Sequence, residues 1–162
     1  MDPYHFTDIT DRIKKRQEAF DQELNSNSER ADLLLITNNV EASVRDIYEF
    51  LMGDKERRFD RRKEILKILR EKNLLNDNLR EDLRLFFEIR DQFAHNMIID
   101  DANKEAEKNL EQTSFVKLRA KEDPQWENRS TREKIIRVYN VLMPELFNQW
   151  NTAVIDDATN TE

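Results

Sequence analysis

Arg90 and His95 are the two side chains of this sequence best suited to do chemistry. Arginine carries a permanently charged planar fork that grips a carboxylate or a phosphate at two points, and histidine is the side chain that exchanges a proton near neutral pH. His95 is one of only two histidines in 162 residues. Both residues lie in the run Leu83-Arg84-Leu85-Phe86-Phe87-Glu88-Ile89-Arg90-Asp91-Gln92-Phe93-Ala94-His95-Asn96. At about 100° per residue, a helix here puts Leu83, Phe86, Phe87, Ala94 and Met97 on one arc with Arg90 in its middle. His95 falls on the polar side with Arg84, Glu88 and Asp91. An arginine set among apolar residues needs a partner, because burying an unpaired charge is costly.

The elements that must position this pair are helices. One glycine and three prolines leave little material for tight turns, and 38% of the residues are charged, with many Leu, Ile, Glu, Lys and Arg that favour helix. The expected fold is all-α, an up-down bundle of about five helices around one core. A first helix from Asp8 to Leu24, capped by Thr7, has a thin seam of Ile9, Ile13, Arg16 or Gln17, and Phe20, and is expected to pack on the outside of the domain or across a partner chain. Asn25-Ser26-Asn27-Ser28 breaks it. The second helix has the strongest periodicity, with Leu33, Ile36, Val40, Val44, Ile47 and Leu51 at spacings of three and four, and Gly53 as its stop. A short third helix presents Ile65, Leu66, Ile68 and Leu69 and ends at Asn73. The fourth, from Asp77 to Ile98, carries Arg90 and His95.

From Asp100 to Arg129 the sequence turns polar. It reads as a long excursion with a helical turn or two around Lys104 to Leu110, and with Phe115, Val116 and Leu118 anchoring a short extended or irregular piece. Ser130 or Thr131, with Glu133 or Lys134 following, opens the last helix, which presents Ile135, Ile136, Val138, Tyr139, Leu142, Leu146 and Trp150 inward and should kink at Pro144. The resulting division is an N-terminal helix and linker over 1–27, a helical domain over 28–154 and a flexible acidic tail over 155–162.

Several functions are excluded by residue type. There is no cysteine, hence no disulfide, thiolate zinc site or cysteine nucleophile. No cofactor is expected, for want of a phosphate-binding glycine loop, and no metal, because Asp100 with Asp101 and Asp156 with Asp157 lack ligand spacing. No apolar run approaches the length of a membrane span, and Met1 to Phe6 shows no basic region leading into an apolar one, so a cytoplasmic protein without membrane contact is expected. The net charge of −7 argues against broad nucleic-acid binding. Its distribution qualifies this, since nine basic residues against four acidic ones give Lys55 to Lys72 a balance of +5. That stretch is either a solvated face laced with i,i+4 pairs or a phosphate-facing patch of Arg57, Arg58, Arg61, Arg62 and Lys67. His5 reads as an exposed terminal residue, and Trp126 and Trp150 as core or interface anchors.

The run Ile89-Arg90-Asp91-Gln92-Phe93-Ala94-His95-Asn96 resembles the Arg-polar-x-x-x-His signature of the HEPN superfamily. It is most similar to the mannitol operon repressor branch, which carries Ile-Arg-Asn-x-Phe-Ala-His near the end of a long helix. Asp91 stands where that branch more often has asparagine, and the polar stretch from Asp100 to Arg129 is longer than its pattern. The resemblance covers Ser28 to Leu146. It implies a helical bundle that dimerises through the motif helices and, in many members, a metal-independent endoribonuclease of toxin or defence systems with an antitoxin or regulatory protein as partner. The repressor branch implies instead a noncatalytic regulator acting through protein or nucleic-acid contacts.

On the catalytic reading, His95 moves the proton of the 2′-hydroxyl, Arg90 holds the scissile phosphate, and Asp91, four residues before His95, fixes the imidazole tautomer. In one regular helix Arg90 and His95 are about 140° and about 7.5 Å apart. They converge only if the helix loosens or two copies meet about a two-fold axis. On the purely architectural reading, Arg90 pairs with Asp32, Glu41 or Asp46 of the second helix, and His95 bonds a carbonyl at the end of its own helix.

Overall fold

A computed structural model describes residues 9–15, 18, 29–53 and 61–159. Among them there is no strand. Residues 9–15 form α1, followed by α2 (Glu29–Met52), α3 (Arg62–Glu71), α4 (Asp77–His95), α5 (Ile99–Leu110), α6 (Ser114–Arg119) and α7 (Thr131–Thr159), with two single 3₁₀ turns at Ala120–Glu122 and Trp126–Asn128. The expected helical bundle is present, with seven α-helices among the described residues instead of about five. The two additional helices, α5 and α6, both come from the polar stretch.

Helix ends follow local chemistry. The α2 helix stops where Gly53, at φ +63°, donates its N–H back to the Glu49 carbonyl. Glycine adopts this left-handed backbone without steric cost. The α3 helix ends in a Schellman turn: Asn73 takes φ +58°, Leu74 N–H reaches the Leu69 carbonyl and Asn73 N–H the Arg70 carbonyl. Asn76 caps α4 by accepting from Leu79 N–H at 2.8 Å. At the start of α7, Ser130 and Glu133 form a reciprocal capping box, with Ser130 N–H 2.8 Å from Glu133 Oε2 and Glu133 N–H 3.2 Å from Ser130 Oγ. Pro144 lies inside α7, which continues to Thr159 and so runs into the stretch assigned to the tail. The carbonyl that Pro144 leaves without a helical donor belongs to Asn140, an exposed residue.

Helices α2 and α7 run side by side in the same direction, held by contacts a constant hundred residues apart: Arg132 Nε to Asp32 Oδ2 at 3.1 Å and Asn39 Nδ2 to the Tyr139 hydroxyl at 2.7 Å. Further along, the rings of Phe50 and Trp150 meet edge to face at 5.8 Å. The α4 helix runs against them, with Arg30 Nη2 on the Met97 carbonyl at 3.1 Å and Arg90 Nε on Asn38 Oδ1 at 3.1 Å. Leu33, Ile36, Val40 and Ile47 of α2, Leu83, Phe86, Ile89 and Phe93 of α4, and Ile135, Leu146 and Trp150 of α7 share one core. Ile9 and Ile13 of α1 join it, so the described part of the thin seam packs on the domain itself. The other residues named for the first helix, Thr7, Arg16, Gln17 and Phe20, lie outside the described residues, as does His5.

The polar stretch departs most from expectation. The α5 helix buries Ala102, Ala106 and Leu110 completely. These sit four apart on one stripe whose small side chains let α5 lie close against α4 and α7. Phe115, Val116 and Leu118 belong to helix α6 and not to an extended piece, and Leu118 points to solvent. What holds α6 is Asp82 of α4, buried, which accepts from Ser114 N–H at 2.8 Å and from the Ser114 hydroxyl.

Candidate functional site

Arg90 sits where α2, α3 and α4 come together. Ile65, Leu66 and Leu69 bury one face of α3, which brings Arg62, the first residue of that helix, to the middle of α4. The Arg62 guanidinium then bridges two carboxylates. Its Nη1 lies 2.9 Å from both oxygens of Asp91 and its Nε lies 3.2 Å from Glu41 Oε1. Nη1 also approaches the Phe87 carbonyl at 3.4 Å, and the guanidinium carbon stands 5.7 Å from the Phe87 ring centre. Glu41 in turn accepts from Arg45 Nε at 3.2 Å. On the other side of Asp91, Arg90 Nη1 lies 3.1 Å from Oδ1. The result is an alternating row, Arg45, Glu41, Arg62, Asp91, Arg90, ending on the amide of Asn38.

Burial of Arg62 is the largest single influence on its pKa and pulls it down. The hydrogen bond to Asp91 and the charges of Glu41 and Asp91 together outweigh that, and the net shift is upward. The cation is thus held in place by its carboxylates.

Five expectations change. Arg90 is not the buried arginine that its arc suggested, because 27% of its side chain is exposed. Helix α4 ends at His95, not Ile98, so Ala94 and Met97 fall at and beyond its end, in solvent. The partners of Arg90 are Asn38 and Asp91, not Asp32, Glu41 or Asp46: Glu41 is taken by Arg62 and Arg45, and Asp32 by Arg132. Asp91 does not orient His95, since it faces Arg62 and Arg90. His95 itself, the last residue of α4, is exposed and makes no hydrogen bond or ion pair among the described residues, so it does not cap a carbonyl. The helix remains regular from Arg90 to His95. Within one chain the two side chains therefore do not converge.

The basic stretch also divides. Arg62 is built into the row above. Arg61 is exposed at the α3 N-cap, where its N–H bonds Glu64 Oε2 at 3.0 Å, and Lys67 is exposed with Glu71 at 3.7 Å. Arg57 and Arg58 lie outside the described residues. Both tryptophans are interior as expected: Trp126 lies between Phe115 at 6.0 Å and the buried Lys134 ammonium at 5.9 Å, and Trp150 packs on Phe50 and Phe147. Among the described residues no group of three or more His, Asp or Glu side chains could hold a metal ion, and no helix is long and apolar enough to cross a membrane.

Asn38 and Arg45 were not singled out from the sequence. A signal existed for the first, because Asn38-Asn39 interrupts the middle of the most strongly periodic helix with a residue type that helix interiors disfavour. Asn39 is explained by Tyr139; Asn38 is exposed and faces Arg90.

Compared with protein-family models, curated proteins and solved structures, the chain matches none.

Proposed function

We propose that this protein binds RNA through the Arg90 face and, as a homodimer joined along its α4 helices, cleaves it without a metal in the manner that the HEPN resemblance implies. The observation that supports this is the convergence of Arg62 and Arg90 on Asp91, with more than a quarter of each arginine side chain open to solvent. The row they belong to sets three guanidinium groups, Arg45, Arg62 and Arg90, against two carboxylates, Glu41 and Asp91, which leaves one surplus positive charge for a phosphodiester. His95, exposed and without a partner among the described residues, is available to a second copy. In the shared site, His95 acts as general base or acid on the 2′-hydroxyl, and Arg90 steadies the charge that grows on phosphorus. An antitoxin or regulatory protein would control such an activity.

The test is RNA cleavage by the purified protein in excess chelator, with its mass in solution measured alongside. A dimer of twice the chain mass is expected, with turnover falling about a hundredfold or more in Arg90→Ala and in His95→Ala. A strict monomer, or cleavage unaffected by both substitutions, overturns the catalytic reading.

The second reading is a noncatalytic regulator of the mannitol operon repressor type. One observation favours it: Asp91 is occupied by two arginines, and among the described residues no other carboxylate orients His95. Tight RNA binding by a dimer with no turnover would select it.

A further inference from the structure

The contact between Asn38 and Arg90 fixes more than a distance. Arg90 Nε is a donor with no acceptor capacity, so the Asn38 atom facing it at 3.1 Å has to be the carbonyl oxygen. The Asn38 amide nitrogen is thereby turned away from Arg90. Asn38 is exposed, and its two N–H donors make no hydrogen bond among the described residues. The same holds for Nη2 of Arg90, since Nε goes to Asn38 and Nη1 to Asp91. Asp91 cannot swing out to take these donors, because Arg62 holds both of its oxygens at 2.9 Å. Among the described residues, two neighbouring side chains from different helices thus present unfilled donors, one neutral and one charged.

We infer that Asn38 and Arg90 together form a subsite for one phosphodiester of a single-stranded RNA, with Asn38 donating directly to a nonbridging oxygen beside Arg90 Nη2. The inference rests on the RNA-binding reading above and adds to it a contact residue on α2 that the motif does not contain. A phosphate offers several acceptor oxygens and no donor when ionised, which matches a site made only of N–H groups. Asn38 carries no charge, so its share of the binding energy is a hydrogen bond and leaves the number of displaced counterions unchanged.

That difference separates a direct contact from a role in merely aiming Arg90. Binding of a fluorescein-labelled 2′-O-methyl RNA 20-mer, which lacks the nucleophilic hydroxyl and is not cut, is measured by anisotropy over a series of potassium chloride concentrations. Wild type, Asn38→Ala and Arg90→Ala are compared, each first shown by circular dichroism to melt as a folded helical protein. Arg90→Ala is expected to weaken binding about tenfold or more and to reduce the salt slope by about one. Asn38→Ala is expected to weaken binding about fivefold by the same factor at every salt concentration, with the slope of wild type. If Asn38→Ala binds like wild type while Arg90→Ala is impaired, the Asn38 contact is wrong and the Arg90 reading stands. A reduced slope in Asn38→Ala overturns the contact too, since Asn38 then acts only by aiming Arg90. Wild-type binding by Arg90→Ala overturns both.

Discussion

One nitrogen of Arg62 lies 2.9 Å from each carboxylate oxygen of Asp91, across the 29 residues that separate α3 from the middle of α4. The same guanidinium holds Glu41 of α2 through Nε. A short helix with a narrow apolar face is in this way tied to both of its neighbours by a single side chain.

Replacing Arg62 with Ala should therefore cost about 1–2 kcal/mol in urea unfolding, between the values for exposed and buried pairs, since 27% of the side chain is in solvent. Arg62→Lys should recover less than half of it. A single ammonium cannot meet Glu41 and Asp91 at the two angles that the guanidinium fork spans. A lysine variant as stable as wild type would show that the bridge contributes only charge.

Asp82 is a buried carboxylate that accepts both the N–H and the hydroxyl of Ser114. Asp82→Ala leaves those donors without their acceptor and should destabilise the fold by about 2–3 kcal/mol. Amide exchange should rise most over α6 and the 3₁₀ turn at Ala120–Glu122 that directly follows it. Uniform loss of protection along the chain would contradict the local anchoring role.

At the start of α7, Ser130 N–H and Oγ hold the Glu133 carboxyl below its ordinary range. A carboxylate with a depressed folded pKa contributes stability above its unfolded pKa of 4.5 and loses it as the pH falls through the folded value. The urea midpoint should accordingly drop between pH 5 and pH 3 by less in Glu133→Gln than in wild type. Ser130→Ala should cost about 1 kcal/mol at pH 7 through loss of the cap. Identical acid limbs in wild type and Glu133→Gln would remove Glu133 from the account of acid stability.

Long periodic helices were readable from the sequence because their burial repeats over many turns. Leu33, Ile36, Val40, Val44 and Ile47 mark α2 as a core helix before any neighbour is known, and Gly53 and Asn73 mark stops through backbone chemistry alone. The α5 helix was not readable in this way. Its buried stripe is Ala102, Ala106 and Leu110 among charged residues, and alanine declares itself only once another helix lies close enough to cover it. The candidate site was half legible. The unusual placement of Arg90 could be seen, but its neighbour Asn38 lies 52 residues away and Arg62 meets Asp91 from another helix, so no local pattern encodes either bond. The apolar arc itself was drawn too long, because α4 stops at His95 and Met97 is 93% exposed.

The parallel pairing of α2 with α7 has a bearing on how the chain folds. Parallel helices cannot be joined by a tight turn, and the bonds from Asp32 to Arg132 and from Asn39 to Tyr139 each close a loop of a hundred residues. Such contacts carry a loop-closure entropy and raise the contact order, and during synthesis they can form only once α7 has been made. During synthesis, α2 through α6 leave the ribosome before Trp150 does. Until then the face of α2 that α7 covers stands bare, and Phe50 in particular lacks the ring that will pack against it. A chain interrupted before Trp150 keeps that face open and is the form most prone to associate through it.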